Sequence, residues 1–165
     1  MTKTELKKNI TKIKKFLKQR DYDIIDTGIE LARVLDEPAV FETLLEGCSI
    51  DEEGKLVRNK IFTGTGPAQP YLDYALVNLI GYAPKNTKVD KSLEHANIKT
   101  LSLTDFSELP SGLANLTKLT SLDLRYCSSL QNVDGLANLP NLTSLNLISC
   151  DKVHSKPSKD KMTTR

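Results

Sequence analysis

Apolar residues recur every three or four positions in the first half of the chain and every two in the second, so a helical half should precede a strand-bearing one. Leu6, Ile10, Ile13, Phe16 and Leu17 mark an amphipathic helix over residues 3–19. Thr2 and Glu5 open it with the spacing of a capping box, where hydroxyl and carboxylate satisfy first-turn amides. Asp21 can cap a second helix, 22–35, with Ile25, Ile29, Ala32 and Leu35 on one face. Asp36-Glu37-Pro38 restarts the chain with an N-cap carboxylate and a first-turn proline; Phe41, Leu44, Leu45 and Cys48 form the third helix's inner stripe, and Gly47 stops it. Residues 49–62, with a turn at Glu53-Gly54, predict a short hairpin. Pro70 opens a fourth helix, 71–82, and Pro84 ends it.

The second half repeats itself. Gly112-Leu-Ala-Asn-Leu-Thr-Lys-Leu-Thr-Ser-Leu122 returns as Gly135-Leu-Ala-Asn-Leu-Pro-Asn-Leu-Thr-Ser-Leu145. In register with them, Leu119-x-x-Leu122-x-Leu124-x-x-Cys127 matches Leu142-x-x-Leu145-x-Leu147-x-x-Cys150, and Ile98-x-x-Leu101-x-Leu103-x-x-Phe106 is an earlier copy. Leu122 and Leu124, two apart on a strand, point to one face, and neighbouring copies can stack those faces together.

This pattern resembles the leucine-rich repeat of bacterial proteins, over roughly residues 97–153. The resemblance implies a parallel-strand solenoid and a role in protein interaction. The expected fold class is therefore α+β, with a helical N-terminal cap (1–96), a short solenoid of about three repeats (97–153) and a disordered tail (154–165). Side chains between the strand leucines would display a platform. Asp123, Arg125, Tyr126, Asn146 and Ile148 are its candidate partner-binding residues, Tyr and Arg being frequent interface anchors. Three strands at about 4.8 Å give a strip about 10 Å wide, suited to a peptide or a weak protein partner.

Charge is nearly balanced in total but not in distribution. Residues 1–20 carry seven Lys and one Arg against Glu5, and residues 21–53 carry eleven acidic side chains against Arg33. The expectation is that the acidic block neutralises the basic helix, so that nucleic acid is not its partner. The alternative is a basic helix that binds nucleic acid or an anionic membrane surface through Lys3, Lys7, Lys8, Lys12, Lys14, Lys15, Lys18 and Arg20. A further alternative is a structural fragment of a longer array, self-associating through an uncapped last repeat.

Candidate chemistry is sparse. Gly64-Thr-Gly66-Pro lacks the lysine and spacing of a phosphate loop. His95 sits beside Glu94 in a polar linker, and His154 follows Cys150 by four residues, two ligands short of a structural zinc site. Neither an enzyme nor a cofactor or metal is expected. Cys48, Cys127 and Cys150 fall on predicted apolar faces, which argues against a disulfide framework. No apolar run reaches membrane-spanning length, and the first helix lacks a secretory signal's apolar core, so the expected location is cytoplasmic. The acceptor triplets at Asn9, Asn115 and Asn141 then read as accidents of composition.

Overall fold

The computed structural model describes residues 1–154 and 163–165. The first helix, α1 (Lys3–Leu17), begins as its capping box requires. The Thr2 hydroxyl accepts from the Glu5 amide at 3.2 Å, and the Glu5 carboxylate accepts from the Thr2 amide at 2.8 Å. Its inward residues are Ile10, Ile13 and Leu17. Helix α2 (Tyr22–Leu35) is capped by Asp21, which accepts from the Ile24 amide at 3.0 Å. Helix α3 (Pro38–Leu45) starts differently from the sequence expectation. Asp36 adopts a left-handed conformation (φ 43°) to end α2, and Glu37 becomes the N-cap with no side-chain hydrogen bond.

Helix α4 (Gln69–Tyr82) begins two residues earlier than predicted, led in by a 3-10 turn at Gly66–Ala68. Every residue from Leu72 to Gly81 is buried. A helix buried on all sides lies at the centre of a core rather than on its surface. One flank of α4 meets α2 and α3; the other meets a 3-10 turn, Ser111–Asn115. That second contact is fixed by polar groups. The Asn78 side-chain oxygen accepts from the Gly112 amide at 2.7 Å, Asn115 donates to the Gly81 carbonyl at 3.0 Å, and the Tyr82 hydroxyl donates to Ser111 at 3.0 Å.

The strands form two sheets. Strands β1 (Ser49–Ile50) and β2 (Leu56–Val57) make the expected antiparallel hairpin. Strands β3 (Thr100–Ser102), β4 (Ser121–Asp123), β5 (Ser144–Asn146) and β6 (Thr163–Thr164) make a parallel sheet in that order. Leu101, Leu122 and Leu145 are paired in register and buried.

The solenoid expectation needs correction. The chain is α+β: four helices, a four-stranded parallel sheet and a two-stranded antiparallel sheet. Strands of two or three residues bury too little by themselves. Their leucines instead share one continuous core with α1–α4, and this core crosses the expected 96/97 boundary. Tyr22 in α2 and Ser107 beyond β3 also bridge it, hydroxyl to hydroxyl at 2.7 Å.

Both sheet edges differ from the simple picture. At the first edge the hairpin abuts β3: the Ser102 amide donates to the Gly54 carbonyl at 2.8 Å, and Lys55 pairs with Ser102. Gly54 has φ +82°, and a Cβ there would lie 2.8 Å from the Thr100 carbonyl oxygen, so only glycine lets the chains approach. At the last edge Thr163 and Thr164, expected in a disordered tail, pair with β5. Residues 155–162 of that tail lie outside the described residues.

Candidate functional site

The exposed face of the parallel sheet is built by alternation. Leu101, Leu122 and Leu145 point into the core, so their neighbours Thr100 and Ser102, Ser121 and Asp123, Ser144 and Asn146 point outward. After each strand a second inward leucine (Leu103, Leu124, Leu147) is followed by a sharp bend. The bends are held by Asp105, Tyr126 and Ser149, all left-handed, with φ 63°, 66° and 61°. The bend turns the following Phe106, Cys127 and Cys150 back into the core.

Two of the five predicted partner-binding residues help build this bend. Asp123 accepts from the Arg125 amide, and Asn146 from the Ile148 amide, each at 3.1 Å. A short carboxylate or amide that accepts from the backbone two residues on imposes a turn. Asp123 also holds the Arg125 guanidinium, whose Nε lies 3.0 and 2.8 Å from its two oxygens. Asp123 and Asn146 are therefore engaged within the fold. Arg125 keeps about half of its side chain exposed (46%) while paired. Tyr126 and Ile148 are left as large apolar groups in water, 57% and 49% exposed. They are adjacent, because the Tyr126 amide donates to the Ile148 carbonyl at 3.0 Å.

The hairpin adds to this face, and sequence reasoning missed it. Lys55 extends the row Ser102, Asp123, Asn146 at one end. Arg165 extends it at the other: its amide donates to Leu145 and its carbonyl accepts from Leu147, which sets it beside Asn146. Five chain crossings at about 4.8 Å make the row about 19 Å wide, nearly twice the strip expected from three strands. Lys55 is itself paired with Glu53 at 2.6 Å, which raises its pKa.

The other sequence candidates have structural roles. The His95 Nε2 lies 2.6 Å from the Ile80 carbonyl oxygen. A carbonyl only accepts, so this nitrogen carries a proton and satisfies the C-terminal end of α4. Glu94 accepts from Asn97 instead of converging with His95. His154 is exposed whereas Cys150 is buried. Gly64 donates to Gln69, which also donates to the Phe62 carbonyl, so this loop's polar groups are turned on each other. Among the described residues no group of three or more His, Cys, Asp or Glu is placed to hold a metal ion, and no helix is long and apolar enough to cross a membrane.

The three thiols are buried and unbridged. Burial pushes the Cys127 thiol up to about 12 and raises Cys48 and Cys150. Cys150 donates to the Leu124 carbonyl at 2.9 Å. Thiolate is the reactive form, so the native protein should react with an aromatic disulfide reagent only as fast as it opens, and all three thiols should titrate at once in denaturant. Rapid labelling of the native protein would contradict this packing. No family model, curated protein or solved structure matches the chain.

Proposed function

We propose that the protein is an interaction module that binds a peptide or a short protein segment across the exposed face of the parallel sheet. The observation that supports this reading is Tyr126. A left-handed backbone costs a bulky residue roughly 1–2 kcal/mol, and here the residue that bears it is an exposed aromatic beside an exposed isoleucine. Stability alone favours Gly or Asn at such a bend. Tyr126 and Ile148 would supply the apolar contact, and Arg125, held in place by Asp123, the charged one. The hydroxyls of Ser121 and Ser144 would serve a backbone running across the strands.

The test is selection of binders from a library of random short peptides, followed by affinity measurement against Arg125→Ala plus Tyr126→Asn. Loss of two anchors should weaken binding roughly thirtyfold, the equivalent of about 2 kcal/mol. Tyr126→Asn alone should be as stable as the parent, or up to about 1 kcal/mol more stable, because Asn tolerates the left-handed bend. Weaker binding in a protein of undiminished stability cannot be ascribed to unfolding. If every selected peptide binds the double variant as well as the parent, this face is not the site.

A further inference from the structure

The lysines of α1 do not find the partners that the adjacent acidic block was expected to supply. Among the described residues the ion pairs are Arg33–Glu30, Lys55–Glu53, Arg58–Asp73 and Arg125–Asp123, and none involves α1. Several of the nearby carboxylates have other tasks. Glu5 closes the cap of α1, Asp21 caps α2, Asp26 accepts from the Tyr74 hydroxyl, Glu30 holds Arg33, and Glu42 accepts from the Lys88 amide. Helix α1 packs against α2 and α3 through Ile10, Ile13 and Leu17, and Lys7, Lys8, Lys12, Lys15 and Lys18 remain exposed on the other side.

This arrangement works against the helix that carries it. Lys8 and Lys12, and Lys14 and Lys18, stand four apart; Lys12 and Lys15 stand three apart. Like charges at these spacings destabilise a helix. Lys3, in the first turn, also lies at the positive end of the helix dipole, whereas Lys14 and Lys15, in the last turn, complement its negative end. A polyanion laid along the helix relieves the repulsion between these lysines.

Three kinds of polyanion surface meet different conditions. A helix that lies in a membrane inserts its apolar stripe, and that stripe is already buried in the core. Single-stranded nucleic acid is gripped by stacked aromatics, and no aromatic residue stands among the exposed lysines. A duplex backbone asks only for spaced cations on a rigid rod. Fifteen residues rise about 22 Å, the length of about six base pairs. We propose that the outward face of α1 binds the phosphate backbone of double-stranded nucleic acid without reading its sequence, at a surface separate from the parallel-sheet face.

The test is fluorescence anisotropy of the full chain with a labelled DNA duplex of about 20 base pairs and arbitrary sequence, titrated at several salt concentrations. With about four phosphates neutralised, log K should fall against log salt with a slope of about −4, and Kd should lie near 10⁻⁴ to 10⁻⁶ M at physiological salt. Lys8→Gln plus Lys12→Gln plus Lys15→Gln should make the slope shallower by about 2.7 while preserving the helical circular dichroism signal. Lys85→Gln plus Lys88→Gln plus Lys91→Gln removes the same charge from exposed positions elsewhere and should leave the slope unchanged. Equal losses in the two triple variants would reduce the effect to net charge and overturn the proposal. So would lysine-dependent binding to phosphatidylserine vesicles with no duplex binding, or a lysine-dependent dimer that leaves the duplex unbound.

Discussion

Gly81→Ala is expected to cost about 4 kcal/mol or more, a large part of the roughly 5–15 kcal/mol that keeps a natural domain folded. A Cβ at this position would stand 2.0 Å from the Gly112 carbonyl oxygen and 2.4 Å from its carbon. Both atoms are backbone, so no side-chain rotation relieves the clash. The turn they belong to is pinned to α4 by Asn78, Asn115 and Tyr82, and pushing it away breaks those bonds together. Separation would also orphan buried polar groups, each at about 1–3 kcal/mol. The two repeat glycines provide a control within one molecule. Gly112→Ala puts a Cβ 2.8 Å from the Asn78 carbonyl oxygen, whereas Gly135, at the same place in the next copy, has nothing within 4 Å. Urea denaturation should show Gly112→Ala strongly destabilised, and Gly135→Ala unchanged or stabilised by up to about 1 kcal/mol. Similar midpoints for the two would mean that α4 and the 111–115 turn are not in contact.

Asp73→Ala should cost about 3 kcal/mol. Asp73 is 5% exposed and receives Arg58 through two nitrogens, with Nη2 at 2.8 Å, and Gln69 at 2.7 Å. Removing one member of a buried ion pair strands the other, which typically costs 3–5 kcal/mol. Arg58 keeps a third of its side chain in water, so the lower end of that range applies. Arg58→Met should cost at least as much, because Asp73 is the more deeply buried partner. Asp73→Ala combined with Arg58→Met should lose less than the sum of the two single changes, since no charge is then stranded. Strict additivity in guanidinium unfolding curves would show that the pair is not coupled.

Local chemistry was readable from the chain, and contacts between distant segments were not. The caps at Thr2 and Asp21, the apolar stripes of α1 to α3 and the alternation around Leu101, Leu122 and Leu145 are each settled by a few neighbouring residues. The hairpin's contact with β3 is a backbone bond from Ser102 to Gly54 and carries no side-chain signature. The same holds for Thr163 and Thr164, whose surroundings in sequence are polar and aperiodic. These two additions, with α4 shared between the halves, make the fold α+β where the repeat alone suggested a solenoid. At the candidate site, the exposure of Tyr126 and Ile148 followed from register. The engagement of Asp123 and Asn146 was missed, although an Asp or Asn two residues before a bend is a recognised turn signal. For α1, the charge totals suggested pairing with the acidic block, and no ion pair among the described residues joins the two.

The position of α4 between elements made before and after it bears on how the chain matures. When Tyr82 leaves the ribosome, the partners in α1 to α3 already exist, but the turn at Ser111–Asn115 does not. At about 5–20 residues per second, the nascent helix waits roughly two to seven seconds with an apolar flank uncovered. That interval is when a chaperone would find it, and a chain terminated at residue 96 would never leave that state.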